Sequence, residues 1–332
     1  SATGYTAGTY TDWRLPNVFE MLSLRTQANH SPSISNIAGT AKWSADDPFV
    51  DVHWTHHFWS STTYANNTVM AWMGDLNDAH PSFNNKTNNN NVWPVRSEKV
   101  RPVRSDNAEL AGSLDLNTPP DDGTMYSLDD IYTKLEALVD KTSPVPCTAC
   151  EYAAPVAKTG QTIIHAKGDD GDLQKGVPWP NPRFTDNGDG TVTDNLTGLI
   201  WLKDANALGS CTWTDALAQV ANLNSGTDFS ATGYTAGTYT DWRLPNVSEL
   251  ESLRNMAYYN PCISNTAGTC KWSADDPFVD AQMITYWSST TYANTPMAYG
   301  LGFGVGGVGA YEKDSDYYVW PVRSEKHREK QN

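Results

Sequence analysis

Residues 1–18, SATGYTAGTYTDWRLPNV, return without change at 230–247. An unchanged repeat of this length constrains the fold more than composition does, because one stretch must solve the same packing problem twice. The match continues through residue 50 with only 11 differences. It resumes as WSSTTYAN at 59–66 and 287–294, and closes as VWPVRSEK at 92–99 and 319–326. We term 1–99 copy A and 155–326 copy B. Residues 100–154 separate them, and 327–332 form a polar tail.

Copy B carries more sequence in front of the shared half. Residues 183–202 alternate Thr, Val and aromatic side chains around a Gly-rich turn at 187–190, which predicts a hairpin followed by a strand. In 212–223, Trp213, Ala216, Leu217, Val220 and Leu223 recur at helical spacing. A second helix follows Pro245, with Asn246 as its N-cap and Leu250 and Leu253 facing inward. Strand-like runs occupy 286–293, 297–310 and 317–323. This order predicts an α+β domain. Copy A has no counterpart of 155–229, so upstream residues or another chain are expected to complete it.

Residues 100–154 read as a linker, with Pro119–Pro120 and a single helix over 127–141. Leu128, Ile131, Leu135 and Leu138 begin a heptad seam there, too short to stand alone. The chain has 332 residues, of which 39% are hydrophobic and 18% charged. That suffices for real cores. The formal net charge of −15 repels phosphate backbones and anionic bilayers, so neither nucleic acid nor a membrane surface is an expected partner. No apolar run reaches the roughly 20 residues that span a bilayer. The opening inside a motif, without Met or signal peptide, reads as a processed or incomplete chain.

The motifs FTDNGDGTVTDNLTGLIW, TWTDAL, TDWRLPNVSEL, YWSSTTYA and VWPVR, in this order, resemble the Lcl-type C-terminal domain family, named for a collagen-like bacterial adhesin. The resemblance covers about 155–325 in full and 1–99 as a C-terminal half. It implies a C-type-lectin-like fold of the formylglycine-generating-enzyme subtype, a secreted or surface location, and ligand binding. The adhesin's own ligands are glycosaminoglycan-type glycans, which the acidic balance here does not favour. GTMYSLDDIYTKL looks like the lead-in helix found before such domains.

Comparing the copies exposes one divergent segment. Over the 20 aligned positions from Trp72/Tyr299 to Asn91/Tyr318, only Lys86/Lys313 is identical, while both flanks are nearly unchanged. Asn84, Asn88, Asn89, Asn90 and Asn91 face Tyr311, Ser315, Asp316, Tyr317 and Tyr318, and Asn77 faces Gly304. Tyr, Ser and Asp are each one adenine change from an Asn codon. The pattern resembles the output of diversity-generating retroelements, whose variable proteins commonly use lectin-like folds; an ordinary fast-changing Asn-rich segment is the alternative. Tyr with Ser, Asn, Asp and Gly suits recognition. The candidate ligand-binding residues are therefore Tyr299, Phe303, Tyr311, Asp314, Asp316, Tyr317 and Tyr318 in copy B. In copy A they are Trp72, Asn77, His80, Phe83, Asn84 and Asn88–Asn91. Most side chains from Gly300 to Tyr318 are expected at the surface, with Phe303, Tyr311, Tyr317 and Tyr318 in one exposed cluster.

Other chemistry finds little support. Gly302–Gly307 satisfies GxGxxG, but no helical pattern follows it. Asp186, Asp189 and Asp194 echo a calcium loop, but the closing Glu is absent and a hairpin turn is the favoured account, with a calcium-bound loop as the alternative. His53, His56 and His57 cluster in copy A only. Cys147 and Cys150 lie in the linker, as a small disulfide loop or two thiols. Cys262 and Cys270 are both replaced in copy A, by Ser33 and Ala41, so a disulfide is expected between them, with Cys211 as the alternative partner. No catalytic constellation stands out, and no enzyme is expected. The shared Trp242, Trp287, Trp320, Trp13, Trp59 and Trp93 are expected in cores, and the shared Arg243 and Arg14 in pairs with carboxylates or carbonyls. Phe19 and Leu22 should contact another domain or chain, while Ser248 and Glu251 stay wet. The sequence thus supports a ligand-binding surface protein for an unknown protein or glycan, self-associating through copy A or the linker helix. The alternative is the subunit of an extracellular filament assembled head-to-tail.

Overall fold

Asn17 and Asn246 open the same capping box in the two copies. Each side chain accepts from the backbone N–H of Glu20 or Glu249, which reaches back to the cap's own N–H. The computed structural model describes residues 12–96 and 156–324, apart from 28, 30, 45–48, 50, 51, 53, 54, 78, 79, 227–229, 232, 274, 275, 293 and 294. Residues 97–154 form a separate unit. The expected linker helix, Cys147 and Cys150 fall there, outside the described residues.

Copy A contributes α1 (Val18–Leu22), β1 (His57–Thr63), β2 (Met70–Asp75) and β3 (Pro81–Asn85). The segment 156–177, which we term the lead-in and which is distinct from the expected linker helix, follows with the single turn α2 (Asp170–Leu173). Copy B then runs β4 (Phe184–Asp186), β5 (Thr191–Asp194), β6 (Leu199–Leu202), β7 (Ser210–Cys211) and α3 (Trp213–Ser225). After β8 (Ser230–Ala231) and β9 (Tyr234–Thr235) come α4 (Val247–Ser252), β10 (Thr285–Thr291), β11 (Met297–Gly302), β12 (Gly307–Glu312), β13 (Tyr317–Tyr318) and β14 (Val322–Ser324). The result is a mixed α+β architecture with several antiparallel sheets and few helices. The copy B sheets are ordered β12-β11-β10-β13-β7 and β14-β6-β5-β4. Copy A repeats part of the first as β1-β2-β3. The registers agree: Trp72 faces Phe83 where Tyr299 faces Ala310, and the same irregularity separates Trp59 from Thr63 and Trp287 from Thr291.

The expected elements form with three adjustments, one of which is that the run 317–323 divides into β13 and β14, in two different sheets. Thr212 caps α3, Gly226 ends it in the left-handed region (φ 76°), and Ala216, Val220 and Leu223 are buried while Leu217 is exposed. The run 297–310 is two strands, because residues 303–306 turn, with Gly306 at φ 76°. The GxGxxG is this hairpin connection.

Aromatic rings fill the copy B core. Trp320 lies edge-on to Phe278 at 4.8 Å and to Trp201 at 5.6 Å between centroids. Its indole N–H donates to the Leu202 carbonyl, and that of Trp287 to the Cys211 carbonyl. Both acceptors belong to the front half of copy B. Copy A's described residues hold no counterpart of them, which corrects the expectation of equal burial. Trp59 and Trp93 are half-buried, and Trp13 is 42% exposed where Trp242 is 3%. Arg243 and Arg14 pair with Glu249 and Glu20 through two 2.6 Å bonds each, as expected.

The two copies pack together. Phe19 lies under the Arg254 guanidinium, and Leu22 shares an apolar cluster with Met256, as expected of a covered face. Ser248 stays exposed, but Glu251 does not: both Arg254 and Arg25 pair with it. The reason is local. Copy A has Leu22 where copy B has Glu251, so Arg25 lacks the carboxylate three residues before it that Arg254 has, and it reaches across.

The lead-in seals this seam. Asp170, buried between the copies, accepts from the hydroxyls of Thr159 (2.6 Å) and Thr62 (2.7 Å). Burial pushes its pKa above 3.8, against those two hydrogen bonds and with the help of Glu20 and Asp169. A carboxyl with a raised folded pKa contributes stability below its unfolded pKa and loses it as pH rises through the folded one. We therefore expect Asp170→Asn to be more stable than the parent at pH 7. The advantage should shrink as pH falls towards 3.8. Urea unfolding at stepped pH checks this; a gap that stays constant with pH would refute it.

Candidate recognition surface

The divergent segment splits into a buried and an exposed part, and this corrects the expectation that it lies mostly at the surface. Tyr299, Leu301 and Phe303 on and just after β11 are fully buried, as are Trp72 and Leu76 in copy A. Phe303 therefore leaves the expected exposed cluster. The physical reason is that β11 is an interior strand between β10 and β12 with α4 packed against it, and Phe303 beyond its end packs edge-on to Tyr286 and Trp320. Substitution there is matched by neighbours: in copy A Gly74 replaces Leu301 while Met21 replaces Leu250, and a Cβ on Gly74 would sit 2.3 Å from Met21 Cγ.

From β12 onward the substitutions reach solvent. The Tyr311 ring folds over the cross-strand pair Gly300–Gly309, where a Cβ on Gly309 would come within 2.8 Å of the ring. Tyr311 and Tyr317 stand 4.7 Å apart, half-buried, and Trp287 backs Tyr317 at 4.9 Å. Asp314 and Asp316 are exposed on the turn between β12 and β13, and Tyr318 tilts inward against Tyr286. Burial, and secondarily the neighbouring Tyr311, raises the Tyr317 phenol pKa. Lys313 lies 4.2 Å from the Trp213 ring centroid and extends the patch onto α3. Sequence reasoning missed Lys313 and Trp213; the signal was that Lys86/Lys313 is the sole identity in the segment.

In copy A the equivalent strip is polar. Asn84 accepts from Asn88 at 2.6 Å, and Asn89–Asn91 with Thr55, His56 and His57 line an open recess of about 230 Å³. Lys86 donates to Thr63, and burial lowers its ammonium pKa. Phe83 is exposed and stacks on Tyr64 at 4.3 Å. Asn77 and His80 do not join this strip. Asn77 bonds Ser31, and His80 meets Tyr292 and Tyr299 at the seam.

The calcium candidates do not converge. Asp186 pairs with Lys203, which holds its carboxyl below the usual range. Asp189 accepts from Thr191 and Tyr239, and Asp194 is buried in a pair with Arg183. They build the hairpin. Among the described residues no group of three or more His, Cys, Asp or Glu is placed to hold a metal; His53 lies outside them. The expected Cys262–Cys270 disulfide is not formed, and Cys211 is also free. Cys262 faces inward against Gly306, where burial pushes its thiol up to about 12, while Cys270 is exposed. The short turn between them places the two side chains in different environments.

A family model described as the Lcl C-terminal domain matches residues 2–96 and 190–323. The match covers well over half of the chain, and the chain belongs to this family, which is not a known catalytic family. No curated protein matches it significantly.

Proposed function

We propose, from the premise that the chain belongs to the Lcl C-terminal domain family, that it is a secreted or surface-displayed ligand-binding protein with a C-type-lectin-like frame. Its recognition surface is the strip 311–318 in copy B and 84–91 in copy A. One observation carries this reading: in two copies with the same strand register, every position of that strip but the lysine differs, and the strip borders solvent. Aromatic rings beside carboxylates in one copy and carboxamides in the other suit different ligands. With Asp314 and Asp316 at its rim, the copy B strip fits a protein or an uncharged glycan better than a polyanion. The adenine-directed substitution pattern supports diversification by a retroelement.

Grafting residues 84–91 onto 311–318 should leave copy B folded and change which members of a glycan and protein panel it binds. Grafting 72–83 onto 299–310 should instead destabilise it, because that stretch fills the core. Unchanged binding after the first graft would sink the proposal.

A second reading, self-assembly into a filament, rests on copy A. Val92 is 58% exposed where its counterpart Val319 is fully buried, and Trp13 is exposed where its counterpart Trp242 is buried. Pairing of such faces would join one chain to the next. Electron microscopy of the purified protein separates the readings, as regular filaments or discrete particles.

A further inference from the structure

The lead-in docks on copy A through residues that copy B also possesses. Thr62 donates its hydroxyl to Asp170 Oδ2 at 2.7 Å. Gln161 accepts from the Thr63 N–H at 3.1 Å and donates to the Thr63 carbonyl. Asn17 Nδ2 donates to the Lys175 carbonyl at 3.1 Å. Past the strand irregularity that follows Trp59, Thr63 lies opposite Ala71 of β2, and its backbone N–H and carbonyl are both taken by Gln161. In copy B the counterparts are Asn246, Thr290 and Thr291, the same residue types in the same local geometry. Val247 N–H donates to Thr290 Oγ1 at 3.1 Å, as Val18 N–H does to Thr62 Oγ1 at 2.9 Å. The irregularity recurs between Trp287 and Thr291.

These polar groups match in the two copies, but their occupancy differs. Asn17, Ser61, Thr62 and Thr63 are buried, whereas Asn246, Ser289 and Thr291 are exposed and Thr290 is half-buried. Among the described residues the Thr290 hydroxyl finds no acceptor comparable to Asp170. The face thus offers a hydroxyl donor, a carboxamide donor, and one backbone N–H with its carbonyl, at spacings already shown to receive a segment of this chain.

We propose that this face of copy B, formed by Asn246, Thr290 and Thr291, is a second seat for a lead-in segment of the same chemistry, carried by another repeat of this family. The segment supplies a carboxamide and, nine residues on, a carboxylate, as Gln161 and Asp170 do. Repeats would thereby be strung together through the element that already joins copy A to copy B. The seat lies outside the divergent strip and does not depend on the ligand reading. Its apolar neighbours are weaker than copy A's, because Ser248 and Glu251 stand in place of Phe19 and Leu22. The contact should therefore be reversible.

The test is titration of the full 332-residue chain with a fluorescent synthetic peptide of residues 156–177, read by anisotropy. Saturable binding of one peptide per chain is expected. Thr290→Val should weaken it roughly tenfold by leaving the carboxylate without its donor. Thr290→Ser, which keeps the hydroxyl, should bind like the parent, separating lost chemistry from a folding fault. A peptide with Gln161→Ala and Asp170→Ala should not bind. Absence of saturable binding would overturn the proposal. So would binding that ignores Thr290→Val, or binding lost in Thr62→Val instead, which would show exchange into the copy A seat.

Discussion

Asp194→Ala should remove much of the stability of copy B, about 3–5 kcal/mol, against the roughly 5–15 kcal/mol typical of a folded domain. Asp194 holds Arg183 through two hydrogen bonds of 2.8 and 2.9 Å, and neither side chain is exposed. The same carboxylate accepts from the Leu196 N–H and the Thr197 hydroxyl, which fixes the turn into β6. The guanidinium also donates to the Ser252 carbonyl at the end of α4 and lies between the Trp179 and Phe184 rings. Removing the carboxylate leaves a cation with no route to water. Urea unfolding followed by tryptophan fluorescence measures the loss. Replacing Arg183 and Asp194 together with leucine should cost less than the single change, since no lone charge remains. A single-mutant loss below about 1 kcal/mol would show that the pair is not the clamp described.

Trp320→Ala should cost a similar amount, about 3–5 kcal/mol, for a different reason. Its ring is fully buried among Trp201, Phe278, Phe303 and Tyr286, so truncation opens a cavity in the centre of the core. It also strands the Leu202 carbonyl, which accepts its indole N–H at 2.8 Å. The matched control is Trp93→Ala, the same residue in copy A, only half-buried and therefore less costly. Equal losses at both sites would mean that copy A is covered as completely as copy B. A folded Trp320→Ala protein that had merely lost its ligand would place the ring in a binding platform instead.

Local signals carried most of the elements. Thr212, Asn246 and Gly226 mark helix ends because caps and left-handed turns depend on a few adjacent residues. The Asn187–Gly190 turn marks a hairpin for the same reason. The candidate surface was legible only in part. Comparing the copies located the divergent segment, but divergence alone does not distinguish a surface from a core in which partners change together. Tyr299 and Phe303 were misplaced for that reason, and Lys313 with Trp213 was overlooked because their contact spans about a hundred residues of chain.

By itself the sequence determined the repeat, the caps, the turns and the family's strand order, since each depends on spacing along the chain. Burial was decided by the tertiary structure. Only packing shows that β11 is enclosed between neighbours while β12 and β13 border solvent, or that identical tryptophans are core in copy B and half-wet in copy A. Only packing shows that Glu251 is claimed by an arginine 226 residues away. These outcomes depend on what lies across an interface, and one-dimensional spacing does not specify a neighbour brought in from a distant part of the chain.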